Sequence, residues 1–263
     1  MSDERSVLLE AVADLARTAG DVAMRRFKSN LAVERKADGS PVTAADRAAE
    51  QCAREWIAAR FPDDGVVGEE LGAHRAGARR RWLVDPIDGT QSFIHGVPLW
   101  GTLIAVCEAN EVIAGAACFP ALGELVAAAV ERGAWWNGAR CAVSTVPTLD
   151  EATVLTTDHR FSRTPERREG WRRLASRAAL ARDWGDCYGY LLVATGRADV
   201  MIDGTLADWD AAPLFPVIRE AGGVFTDCAG QETPFGRSAV ATNASLAREA
   251  RILLDVPVTG IAA

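Results

Sequence analysis

The sequence predicts an α+β protein built from two layered subdomains, residues 1–145 and 146–263, that meet at a cleft. With 263 residues, 49% of them apolar and 25% charged, the chain can bury a sizeable core in one large unit or two modest ones. Between Leu99 and Val130 lie three apolar runs, LWGTLIAVCEA, VIAGAACF and ELVAAAV, separated by Asn110-Glu111 and by Pro120 to Gly123. They read as an antiparallel meander. The second half instead alternates short strands with helices, with no repeat, low-complexity tract or flexible linker between the halves.

The elements follow in order. Residues 5–28 place Val7, Leu8, Val12, Leu15, Ala16, Ala19 and Met24 on a helical period, which predicts a long amphipathic first helix. Lys36-Ala-Asp-Gly-Ser-Pro41 turns the chain, and Thr43 caps a second helix that runs to about Arg60. Gly65 to Gly68 is a short strand opening onto the carboxylate pair Glu69-Glu70. Arg81 to Val84 form another, stopped by Pro86, and Asp88-Gly89-Thr90 begins a helix. The meander comes next. Residues 164–178 form a polar helix whose Arg167, Arg168, Arg172, Arg173 and Arg177 read as a solvated face. Then come a strand near 180–183, a helix near 186–195, a strand from Ala198 to Ile202, a helix after Asp208 and a short strand from Gly223 to Phe225. Pro216 is expected to bend or interrupt the helix after Asp208, whereas Pro213 lies near enough to its first turn to be tolerated.

Composition narrows the function. A net charge of −7 argues against a nucleic-acid surface, which needs excess Lys and Arg, but permits a phosphate substrate if divalent cations reverse the local potential. The first residues, MSDERSVLLEAVADLA, are acidic and lack a long apolar run, so neither a signal peptide nor a membrane anchor is expected. The six cysteines are scattered among apolar neighbours without C-x-x-C spacing, which suits reduced thiols in a cytoplasm. His74, His95 and His159 have no zinc-like spacing, leaving oxygen ligands as the expected metal chemistry.

The run Arg80-Arg-Trp-Leu-Val-Asp85-Pro-Ile-Asp88-Gly-Thr90 packs two carboxylates, a turn and a helix start into a few residues. The first N–H groups of a helix have no internal partners and attract an anion. Two carboxylates beside them would repel each other and that anion unless hard cations sat between, and magnesium takes such oxygen ligands. An Asp cap following a strand-end Asp is the alternative that needs no metal. Asp46 in a first turn, Glu69-Glu70 after a strand, and Asp210 in Asp208-Trp209-Asp210 each have a similar local explanation in the helix dipole or a turn. Together with Asp85 and Asp88 they supply enough oxygens for two or three magnesium ions around one phosphate, with Asp85 best placed to bridge two of them.

Gly68-Glu69-Glu70, Trp82-Leu-Val-Asp85-Pro-Ile-Asp88-Gly-Thr90 and Trp209-Asp210-Ala-Ala212, in this order, resemble the inositol monophosphatase family of magnesium-dependent, lithium-sensitive phosphatases. The resemblance extends from Lys36 to Asp46 near the start to Glu220-Ala-Gly-Gly223 near the end. It implies that family's layered α-β-α-β-α sandwich. It further implies that Glu69, Asp85 and the Ile87 carbonyl hold a first magnesium ion and Asp85, Asp88 and Asp210 a second. A third, weaker ion near Glu69 would position an attacking water that Thr90 and Asp46 orient and deprotonate. The amides of Gly89 and Thr90 would bind phosphate oxygens, no phospho-enzyme would form, and a homodimer is expected.

Within the family, Gly96-Val-Pro-Leu-Trp-Gly-Thr-Leu-Ile104 and Trp184-Gly-Asp186-Cys-Tyr188-Gly-Tyr190 look like the histidinol-phosphate phosphatase branch, acting in histidine biosynthesis. L-Histidinol carries an ammonium group, and Asp186 at a helix start is the residue expected to pair with it. Asp203, seven residues before Asp210, is a second substrate-binding candidate. Trp184 and Tyr188 are candidates to stack on the imidazole or the cation, with core packing an equal alternative for Tyr188. Gln91 departs from the Lys often found there in that branch and removes one positive charge. The competing readings are an inositol-1-phosphate phosphatase of broad specificity and, in another class, a regulatory binding protein, since some bacterial relatives associate with transcription machinery.

Overall fold

The computed structural model describes residues 2–29, 32–37 and 39–258. Helix α1 (Ser2–Met24) leads into a hairpin of β1 (Glu34–Arg35) and β2 (Pro41–Val42), whose turn includes Asp38, outside the described residues. Helix α2 (Ala44–Arg60) precedes β3 (Gly65–Gly68), β4 (Gly72–His74) and β5 (Arg80–Asp88). After the short α3 (Thr90–Ile94) comes the meander of β6 (Gly101–Glu108), β7 (Glu111–Phe119), β8 (Glu124–Ala129), β9 (Gly133–Trp136) and β10 (Ala139–Arg140). The second half contains β11 (Thr153–Thr156), α4 (Arg168–Arg177), β12 (Leu180–Arg182), α5 (Asp186–Ala194) and β13 (Val200–Asp203). It closes with α6 (Asp208–Glu220), β14 (Val224–Thr226), β15 (Ala239–Thr242) and α7 (Ala247–Leu253).

The strands form an eight-stranded sheet, ordered β10-β9-β8-β7-β6-β5-β3-β4, and a five-stranded sheet, ordered β12-β11-β13-β15-β14. Helices α1 and α2 cover one face of the large sheet; α5 and α6 fill the space between the sheets; α4 and α7 cover the outer face of the small one. The result is the α-β-α-β-α sandwich. Both faces of β6 are buried, with Leu103, Ala105 and Cys107 toward α6 and Ile104 and Val106 toward α1. That double burial is why the meander reads as unbroken apolar runs rather than as an alternation.

Four local expectations change. Pro86 does not end its strand, because β5 continues to Asp88 through a register shift between Asp85 and Asp88 opposite β6. Such an irregularity absorbs a residue with no ladder donor and re-aims the side chains after it. Pro216 does not interrupt α6, which runs unbroken through both prolines. The helix is wedged between the sheets so closely that a Cβ at Gly115 would lie 2.2 Å from the Pro213 carbonyl oxygen. Packing holds it where propensity would not. Val7 and Met24 face solvent rather than the core. The arginine run of α4 is only partly a solvated face: Arg173 donates to the Leu253 carbonyl at 2.8 Å, and Arg177 pairs with Glu249 at 2.7 Å, docking α4 to the last helix. No helix among the described residues is long and apolar enough to cross a membrane.

Candidate active site

Three elements deliver acids to one cleft, and a fourth, α2, buries Asp46 close enough to feel the charge of Glu69 but not among the residues lining either hollow. Thr43 caps α2 through a reciprocal box in which its hydroxyl accepts from the Ala45 N–H at 3.0 Å. Asp46 Oδ2 in turn accepts from the Thr43 amide at 2.8 Å and from its hydroxyl at 2.7 Å. The capping sequence therefore buries Asp46 in a fixed orientation. Glu69 follows β3, its N–H donating to the Val84 carbonyl of the neighbouring strand at 3.2 Å. Asp85 and Asp88 flank the register shift at the end of β5. Asp210 sits in the first turn of α6 and accepts from the Ala207 amide at 2.8 Å.

Asp85, Asp88 and Asp210 offer carboxylate oxygens that all lie within 4.8 Å of one another. Burial raises Asp85 well above the usual carboxylate range, and Glu69, Asp210 and Asp88 add to the effect through repulsion. Burial and the charge of Asp88 push Asp210 up to about 8. Asp88 is raised by burial too, against the pull of Cys187, whose N–H donates to Asp88 Oδ2 at 2.6 Å. These acids disfavour one another's charge, and a set of hard oxygen donors so arranged fits divalent cations of the magnesium type. Lys36 supplies one positive charge, bridging Glu69 at 2.6 Å and Glu70. Burial opposes the charge on Lys36, but its bonds to the two glutamates outweigh it and raise its pKa.

The cleft consists of two connected hollows of about 440 and 340 Å³ that share Asp88, Arg163, Thr205, Leu206 and Asp210. The larger contains Glu69, Asp85, Ile87, Gly89 and Thr90. Thr90 donates its hydroxyl to the Ile87 carbonyl at 3.0 Å rather than to Asp46. Gly89 caps α3 with φ +81°, a left-handed conformation open to glycine. The smaller hollow contains Asp186 and Asp203. Asp186 begins α5 at φ +50°, and its N–H donates to the Thr157 hydroxyl at 2.8 Å. Burial raises its pKa well above the ordinary value, with Asp88, Asp203 and Asp210 adding to the rise. Asp203 accepts from the Thr157 N–H at 3.2 Å and the Tyr190 hydroxyl at 3.0 Å, and burial pushes it up to about 7.

Tyr188 and Trp184 are not among the residues lining either hollow. Tyr188 packs edge-on against Phe119, with its hydroxyl 3.4 Å from Glu124, so core packing accounts for it. Trp184 is 39% exposed. Conversely, Thr157, Cys187, Arg163 and Arg237 escaped sequence reasoning. Thr157 follows directly on a strand, Thr153–Thr156, that no breaker or alternation marks, and the two arginines reach the cleft from loops remote in sequence.

The sequence profile described as the inositol monophosphatase family matches residues 4–256. A protein of Chlorobaculum parvum named histidinol-phosphatase is 42% identical over 242 residues, covering 91% of this chain and 93% of that relative. Another of that name, from Mycobacterium tuberculosis, is 39% identical over 252 residues, covering 94% and 96%. Among solved structures, an inositol monophosphatase from Zymomonas mobilis superposes with a TM-score of 0.85 at 30% identity, over 95% of this chain and 98% of that one.

Proposed function

The chain belongs to the inositol monophosphatase family, and from that premise we propose that it is a magnesium-dependent phosphomonoesterase hydrolysing L-histidinol phosphate to L-histidinol and phosphate. The observation that carries the chemistry is the convergence of Asp85, Asp88 and Asp210, from opposite halves of the chain, on one point of the cleft. Similarity to the two histidinol-phosphatases supports the choice of substrate. So does the position of Asp186 and Asp203 in the hollow adjoining that point, where an ammonium group would meet two carboxylates.

In this reading Glu69, Asp85, the Ile87 carbonyl, Asp88 and Asp210 hold two or three magnesium ions. When bound, these supply the positive charge that stabilises the transferring phosphoryl group and the departing alkoxide. The chain's own groups do the rest. The Gly89 and Thr90 amides hold phosphate oxygens, which fixes phosphorus relative to the acids. The Thr90 hydroxyl orients the attacking water, and Asp46 takes its proton. Burial raises the pKa of Asp46 despite its bonds from Thr43, which makes it a stronger base than an exposed aspartate. Water oxygen bonds to phosphorus as the ester P–O bond breaks, and the alkoxide leaves as the alcohol after protonation.

The division at 145/146 accompanies this reading, with Asp210, Asp186 and Asp203 coming from the second subdomain and the other acids from the first. Cytoplasmic location is supported by six free thiols, and the homodimer by family resemblance. Asp88→Asn tests the chemistry: phosphate release should fall at least a thousandfold with the melting temperature retained. Retention of most activity would refute the assignment.

A further inference from the structure

We propose that Glu50 is a positioning residue for the metal centre, gripping the turn after β3 from inside α2 and thereby setting where Glu69 presents its carboxylate. The inference rests on the reading of Glu69 as a magnesium ligand. Glu50 lies one helical turn after Asp46 on the same buried face of α2 and is 0% exposed. Its Oε2 accepts from the Glu70 N–H at 2.7 Å, and its Oε1 accepts from the Leu71 N–H at 3.1 Å and Arg54 Nε at 2.8 Å. Arg54 also reaches the Gly72 carbonyl, so the pair clasps the turn at three successive residues.

Gly68 makes room for this clasp. A Cβ there would lie 2.0 Å from Glu50 Oε1. Glu69 is thus held on both flanks: its own N–H is tied to β5, and the next two amides are tied to Glu50. Neither Glu50 nor Arg54 lines the cleft. Glu50 therefore acts through the backbone that carries Glu69. Groups that orient ligands in this way typically contribute about 10–100-fold in metal affinity.

The test is Mg2+ binding by titration calorimetry to Glu50→Gln, Glu69→Gln and the double variant, with folding checked by melting temperature. Glu50→Gln should weaken Mg2+ binding about tenfold or more and cause no further loss when Glu69 is already Gln. Unchanged affinity in folded Glu50→Gln would overturn the proposal, as would an equal further loss in the Glu69→Gln background. If Glu69→Gln alone leaves affinity unchanged, the ligand assignment of Glu69 is what fails, and the proposal falls with it. Should Glu50→Gln not fold, Arg54→Gln takes its place. That variant should weaken binding at least threefold, and affinity equal to the parent's would refute the clasp.

Discussion

Replacing Gly89 by Ala strikes the point where the backbone of the β5 end enters α3. At φ +81° an L-residue costs about 1–2 kcal/mol relative to glycine. The added Cβ would also sit 3.0 Å from the Leu99 carbonyl oxygen and 3.1 Å from Asp186 Oδ2, so it presses on the meander and on the proposed alcohol pocket together. If the turn keeps its shape, the strain totals roughly 2–3 kcal/mol, which for a protein of this size lowers the melting temperature by about 5–10 °C. If the turn relaxes instead, the Gly89 amide leaves the phosphate, and loss of one such donor costs about 10²–10³-fold in turnover. Phosphate release at saturating magnesium and calorimetric melting, measured on the same preparation, separate the two routes. The expected result is a loss of kcat/KM of about a hundredfold together with a lowered melting temperature. A melting temperature that falls while activity stays within twofold would mean that the turn keeps its shape under strain and would contradict the expected relaxation of the Gly89 amide away from the phosphate. No change in either quantity would refute both.

Three further outcomes follow from the same geometry. In metal-free protein Asp203, Glu70 and Asp210 are pushed up to about 7, 7 and 8, chiefly by burial. The fold therefore holds these protons more tightly than the unfolded chain does, so their contribution to stability is full near pH 4 and lost as pH rises to about 8. The melting temperature of metal-free protein should fall across that range and be restored increasingly by magnesium; a flat profile would contradict the clustering of the acids. Thr157→Val removes the acceptor of the Asp186 N–H, a bond of 2.8 Å. At about 1 kcal/mol it should raise KM for L-histidinol phosphate roughly fivefold with kcat little changed, and an unchanged KM would show that Thr157 does not organise the pocket. Tyr188→Phe should leave both kinetic constants within twofold, because its hydroxyl faces Glu124; a large rise in KM would restore Tyr188 to the substrate site.

What was legible in the sequence was what local chemistry or strong patterning encodes. Thr43 and Asp46 announce their helix because a cap is written within four residues. The meander is readable because Leu103 to Val106 need to be apolar on both faces. The carboxylate motifs are readable as a set because turns and helix starts expose them, although their convergence required the β5 irregularity and the packing of α6 against β7. Long-range packing hid the rest. Pro216 persists in a helix because two sheets clamp it. In sequence Tyr188 is balanced between stacking on the substrate and packing in the core; Phe119 and Glu124, far away in the chain, claim its ring and hydroxyl and decide for packing. Glu50 is one more acid in a polar helix until the turn after β3 folds onto it, and Thr157 matters only because α5 and β13 both arrive beside it.

In the proposed function, the acids of the second hollow, Asp186 and Asp203, select the ammonium-bearing alcohol. Phosphate release from L-histidinol phosphate and from inositol-1-phosphate, compared side by side with magnesium for the parent and for Asp186→Asn, tests it most directly. At least a tenfold preference for L-histidinol phosphate in kcat/KM, about 1.4 kcal/mol in transition-state binding, is expected for the parent and should collapse in the variant. Equal rates, or a preference for inositol-1-phosphate, would leave the metal chemistry standing and contradict the substrate assignment.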